Sequence, residues 1–438
     1  MPDLLLRGGR VVDPATGLDD HLDVAIEGGR VSGLSPVDLE ADRGPGGAEV
    51  IDCRGLVVAP GLVDLHVHLR EPGEEHKETI ETGSRSAAVG GYTAICAMAN
   101  TRPVTDGAAV VSEVRERAFA AGLVDVRPVG AITRGSAGET LAELGEMIDA
   151  GVRMFSDDGA TVPSARVVRN ALTYVRAFPH QVVIAEHCED PSLVEGGQMH
   201  EGVHSVALGL AGRPAEAEDV IVSRDLTIAR MTGGRLHVCH LSSGRSVELV
   251  RQAKAEGVRV TAEVTPHHLT LTDDDLVTYD TNLKVHPPLR TAADREALRA
   301  GLADGTIDAI ATDHAPHSVE DKECEFDQAR PGTIGLETAL AVVLTELVAP
   351  GELSLARALG AMSSVPADIA GADEHGGPIE IGRPANLMVF DPDATWIVEP
   401  PFASKARNSA FLGRELRGRV VHTLLEGRPT VLDGKPCR

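Results

Sequence analysis

Through the middle of the chain, short apolar runs alternate with segments whose apolar residues recur at helical spacing. The runs at 61–67, 92–98, 125–131, 152–155, 182–185, 236–239, 258–264 and 307–311 read as strands. Segments such as 113–121 and 246–255 read as the helices between them, each followed closely by a stopping glycine, Gly122 and Gly257. Eight strand–helix units in succession predict an α/β fold, a closed (β/α)8 TIM-like barrel. The apolar stripe of Leu336, Ala339, Leu340 and Val343 belongs to its packing. Residues 4–57 have another texture, apolar runs broken by glycines, and it returns after Gly377 in 385–390, 395–398 and 418–428. Two distant ends with one texture predict a small β-sandwich domain built from 1–57 and 378–438 around a barrel of 58–377. The glycine-rich patch at 42–48 reads as a surface loop.

Composition narrows the partners. A chain of 438 residues with a net charge of −25 repels nucleic acid and anionic membranes, and a small-molecule substrate remains. No apolar stretch approaches the roughly 20 residues of a membrane span. Cys53, Cys96, Cys188, Cys239, Cys324 and Cys437 are scattered, and no charged-then-apolar leader opens the chain. These features predict a reduced, cytoplasmic enzyme without a disulfide framework.

Barrels of this kind carry their chemistry at the C-terminal ends of the strands. His66 and His68 follow the first predicted strand, Asp157 and Asp158 the fourth, His187 the fifth, His240 the sixth and Asp313 the eighth. Alternate residues of a strand share a face, so His66 and His68 stand about 6 to 7 Å apart and can chelate one ion. Arg70, the next residue on that face, offers a fixed fork for a carboxylate. Four imidazoles and two carboxylates suit zinc at about 2.0–2.2 Å. They are too many for one tetrahedral site, so two ions sharing a bridging carboxylate fit better. Cys188 and Cys239 read as packed barrel cysteines facing away from the ligands, and His267 and His268 as hydrogen-bonding support. The charged segment 317–332 lies over the predicted pocket, as a lid or as an ordinary solvated loop.

These motifs resemble a known family. Pro60-Gly-Leu-Val-Asp-Leu-His-Val-His68 with Thr312-Asp-His-Ala-Pro-His317 looks like the amidohydrolase superfamily. The stretch from His66 to Gly73 is similar to the dihydroorotases within it. The likeness extends over nearly the whole chain, through Phe155-Ser-Asp-Asp-Gly159, His237-Val-Cys-His-Leu-Ser242 and Gly382-Arg-Pro-Ala-Asn386. It implies the zinc-dependent, reversible interconversion of N-carbamoyl-L-aspartate and L-dihydroorotate in pyrimidine biosynthesis. Many superfamily members bridge their metals with a carboxylated lysine from strand four, and this chain has no lysine between Lys77 and Lys254. Matched residue by residue, the resemblance gives the bridge to Asp158, one ion to His66, His68 and Asp313, and the other to His187 and His240. Asp313 doubles as general base, and Asp157 becomes a supporting residue. Substrate contacts fall to His68, Arg70, Asn100, His286, His317, Pro331 and Gly332. The chain departs from the family pattern at Ala99, where a proline is usual, and at His286, where an asparagine is usual. The resemblance further implies a homo-oligomer and admits association with aspartate carbamoyltransferase. The rival readings are a dihydropyrimidinase-, hydantoinase- or allantoinase-like hydrolase, and a non-catalytic dihydroorotase-like partner of that transferase.

Overall fold

A computed structural model describes residues 3–37 and 47–437; most of the patch at 42–48 lies outside the described residues. Two arcs of parallel strands form the barrel. The first arc contains Leu62–Val67, Tyr92–Ala97 and Asp125–Pro128. The second contains Met154–Phe155, Val183–Glu186, Leu236–Val238, Val260–Val264 and Ala309–Ile310. Single parallel bridges, Gly130 to Phe155 and Val67 to His314, join the arcs into a ring. The eight strands therefore stand in the order the pattern predicts. At the first seam a Cβ on Gly130 would come within 2.7 Å of the buried Phe155 ring, so only glycine allows that approach. Small side chains such as Ala94, Ala185 and Ala309 fill the interior beside Val63, Leu65 and Met98, which makes it a packed core. Among the outer helices, Ala108–Ala121 ends on the left-handed Gly122. Gly244–Ala255 begins on Ser243, whose hydroxyl accepts from the amides of Arg245 and Ser246.

Nine strands from both ends of the chain share a second hydrogen-bonded sheet. The front contributes Leu4–Asp13, Leu18–Glu27, Arg30–Pro36, Glu49–Asp52 and Val57–Pro60. Leu387–Ile397, Glu415–Leu425, Arg428–Leu432 and Lys435–Pro436 come from the back. Val57–Pro60 joins the two sets: it runs parallel to Leu4–Asp13 and antiparallel to Leu387–Ile397. Leu6, Val24, Ile26, Val58, Val389 and Leu424 share its core. Gly61 then hands the chain to the first barrel strand, its amide donating to Asn386 O at 2.9 Å. Between two of the returning strands, residues 403–409 cross back to the barrel. There Glu337 accepts from the amides of Ala403 and Ser404, and Glu78 from the amide of Lys405 and the hydroxyl of Ser404. Among the described residues, no helix is long and apolar enough to cross a membrane.

Candidate active site

Strand ends alone bring the six expected ligands together. His66 Nε2 lies 3.3 Å from Asp158 Oδ1 and 3.6 Å from Asp313 Oδ1. His68 Nε2 lies 3.4 Å from Asp158 Oδ2 and 3.1 Å from Asp313 Oδ1. On the other side, His187 Nδ1 and His240 Nε2 stand 3.6 and 3.5 Å from Asp158 Oδ1, and 3.0 Å from each other. Asp158 is thus the one carboxylate that meets all four imidazoles.

The chemistry of this donor set fits cations. His66 Nε2 and Asp158 Oδ1 are buried and have no hydrogen-bond partner, although they face one another. Burial pushes the Asp158 carboxyl up, but His66, His187 and His240 outweigh it and hold the group well below the ordinary carboxylate range. Burial pushes His187 down; Asp158 and Glu189 overcome that and raise it to about 9. Buried carboxylates that draw protons onto imidazoles so strongly are a site short of positive charge, which metal ions supply.

Surrounding groups fix the expected ligands. Glu263, on the seventh strand, takes His66 Nδ1 at 2.8 Å and His237 Nε2 at 3.1 Å, leaving His66 Nε2 aimed at the cluster. Burial raises the Glu263 carboxyl, yet the two histidines bring it down to about 2. Asn100 Oδ1 pairs with His68 Nδ1 at 3.0 Å, so Asn100 orients that ring as well as lining the pocket. Asp157 points away: its carboxylate accepts from the amides of Ile132 and Thr133 at 2.8 and 3.0 Å and from the Thr133 hydroxyl. His268 has the expected supporting role, between Thr265 Oγ1 and Pro287 O. His267 Nε2, by contrast, is buried without a partner, and burial pushes that ring down to about 4, which keeps it neutral. Cys188 packs in the outer layer, whereas Cys239 points into the barrel interior, its sulfur close to His66 and Glu263. The expectation that both cysteines face away from the ligands is corrected for Cys239. Glu263 was detectable in sequence as a charged residue in an apolar strand, and Glu189 as a carboxylate two positions after a ligand; neither is among the residues singled out there.

The cluster opens onto a pocket of about 260 Å³ lined by His68, Arg70, Asn100, His286, His317, Pro331 and Gly332 together with four of the other five ligands. Arg70 donates its Nε to Pro316 O at 3.1 Å, which leaves the remaining guanidinium donors for the pocket. His286 rests its Nε2 on Glu189 Oε2 and stands edge-on to His187, ring centroids 4.4 Å apart. Arg213 also reaches Glu189, at 3.2 Å. His317 braces its own loop through Pro331 O at 2.9 Å and Asp321. Burial, followed by Arg70 and Lys322, lowers its pKa to about 3. The segment 317–332 is fastened at its base. Buried Lys322 donates to the carbonyls of Thr281 and Arg330 at 2.8 Å, and Lys284 to Gln198 Oε1 and Phe326 O at 2.6 Å.

Comparison with known proteins agrees with this geometry. The family model described as dihydro-orotase-like matches residues 55–246. Dihydroorotase of Pelotomaculum thermopropionicum is 50% identical over 431 residues, covering 98% of this chain and 99% of the relative. Dihydroorotase of Streptomyces coelicolor is 50% identical over 438 residues, 99% of this chain and 100% of that protein. Among solved structures, the L-hydantoinase (dihydropyrimidinase) of Arthrobacter aurescens superposes with a TM-score of 0.88 at 29% identity, over 100% of this chain and 98% of that one. The D-hydantoinase (dihydropyrimidinase) of Thermus sp. gives 0.81 at 26% identity, over 99% and 96%. A barrel carrying a small β-sandwich domain is the shared architecture, and sequence identity over the full length makes the narrower assignment: the chain belongs to the dihydroorotase family.

Proposed function

We propose that this chain interconverts L-dihydroorotate and N-carbamoyl-L-aspartate, with His66, His68, Asp158, His187, His240 and Asp313 holding two zinc ions. The observation that carries the reading is one small pocket onto which both the ligand cluster and the Arg70 guanidinium open. Two zinc ions held there would lower the pKa of water toward about 7 and polarise an amide carbonyl. The protein's own groups do the rest. Arg70, its Nε committed to Pro316 O, receives the free carboxylate of the substrate through its remaining donors, assisted by the Asn100 amide. That contact places the ring amide carbonyl over the rim, a positioning effect. Asp313, its Oδ1 3.6 Å from His66 Nε2 and 3.1 Å from His68 Nε2, is the carboxylate of the pocket placed to act as a base. It accepts the proton of the attacking water and delivers it to the ring nitrogen as the carbon–nitrogen bond breaks. In the reverse direction the same groups close the ring.

Hydantoinase-like hydrolysis is the second reading, favoured by the structural neighbours. Two features weigh against it: the absence of a lysine on strand four and the presence of Arg70, which would face a ring with no carboxylate. The test is turnover of L-dihydroorotate by the zinc-loaded protein beside dihydrouracil and allantoin, repeated with Arg70→Met. Preference for dihydroorotate, with KM raised roughly a hundredfold in the variant by loss of a charge-assisted contact, is expected. Preference for an uncharged ring, or an unchanged KM, overturns the reading.

A further inference from the structure

Asn408, on the segment that crosses back from the small domain, spends its side chain on the walls of the pocket. Its Nδ2 donates to Ala315 O at 3.0 Å and to Gly332 O at 3.1 Å, and its Oδ1 accepts from the amide of His317 at 3.0 Å. Both amide hydrogens are used, and the residue is only 3% exposed. Its own carbonyl accepts from the Thr333 hydroxyl and the Ile334 amide, each at 3.0 Å. One side chain therefore ties the start of the loop after strand eight to its end.

Those contacts reach the binding groups. Ala315 and His317 flank Pro316, whose carbonyl takes Arg70 Nε. Gly332 forms part of the pocket wall with φ of 141°, and a Cβ there would fall 2.8 Å from Ala315 Cβ. Asn408 cannot drift, because the residues before it are held by Glu337 and Glu78, and Glu78 also meets His314 Nε2 at 3.4 Å. We infer that Asn408 is a positioning residue: from outside the pocket it sets the Ala315–His317 backbone and Gly332, and through Pro316 O the direction of the Arg70 guanidinium. This rests on the dihydroorotase reading of the pocket.

Asn408→Asp tests it, since the carboxylate still accepts from the His317 amide but turns oxygens toward two carbonyls. KM for L-dihydroorotate should rise roughly tenfold or more, with kcat and bound zinc little changed, because a misplaced clamp weakens positioning and leaves the reacting groups in place. A purely structural role would lower the melting temperature without that split between KM and kcat. An unchanged KM in a folded variant overturns the inference. Should the variant fail to fold, hydrogen exchange of the wild-type protein decides it: the His317 amide should be protected, and exchange as fast as in a free loop overturns it. A wild-type protein inactive on dihydroorotate counts against the functional reading instead, and the exchange measurement still judges the clamp.

Discussion

Three residues of the site hold a left-handed backbone that side-chain-bearing residues seldom adopt: Arg70 with φ of 61°, His240 with 29° and Asp313 with 47°. Such conformations cost on the order of 1–3 kcal/mol each and persist only where surrounding contacts over-determine them. At Asp313 the carboxylate faces the cluster, its Oδ1 3.6 Å from His66 Nε2 and 3.1 Å from His68 Nε2. Adjacent aspartates show how much one position decides. Asp158 gathers four imidazoles, while Asp157 is spent on the amides of Ile132 and Thr133. For Asp313→Ala we expect kcat to fall roughly 10²–10⁴-fold, the usual contribution of a positioned acid–base group. Five ligands remain in that variant, so zinc analysis should find most of the metal retained; undiminished turnover would remove Asp313 from proton transfer.

At the scale of elements, the barrel was legible because most strands are short apolar runs, and the first, fourth, fifth, sixth and eighth are followed by polar, chemically capable residues. The clustering of the expected ligands follows from that, since a strand end fixes the face of every second side chain. Less could be read of the supporting contacts. Asn100 was expected to grip substrate, but its second task on His68 depends on the approach of two strands, which no local pattern announces. Asn408 carries no local signal at all, because its side-chain partners lie 76 to 93 positions away. The loop after strand eight reads as charged, a lid or an ordinary solvated loop, yet it hides Lys322, 5% exposed, among backbone carbonyls. Burial strips water from that ammonium group and, with Lys284 nearby, lowers its pKa from 10.5 to about 7. Below pH 7 both the folded and unfolded chains carry the proton, and the cost of the buried charge is borne in full. Between about 7 and 10.5 only the unfolded chain keeps it, so stability rises with pH. Melting curves across that window should show the wild type gaining on Lys322→Met as pH rises; a constant difference would mean Lys322 keeps its charge.

Taken whole, the molecule ties the strand that carries His66 to its C-terminal residues. Val57–Pro60 pairs with Leu387–Ile397 and passes through Gly61 directly into Leu62–Val67, which carries His66. Deleting 387–438 would remove four strands of the nine-stranded sheet and uncover Leu6 and Val58, besides taking Asn408 away. Soluble yield and zinc retention of that truncation are expected to fall together; a soluble, zinc-binding barrel would show that the small domain is dispensable for folding. The seams of the barrel carry a last consequence. Two single bridges hold the three-stranded arc to the five-stranded arc, and the proposed ligands divide between them, His66 and His68 on one and Asp158, His187, His240 and Asp313 on the other. An ion gripped by both sets would work as a rivet through two staves, and the free energy of metal capture would then also become resistance of the ring to springing open.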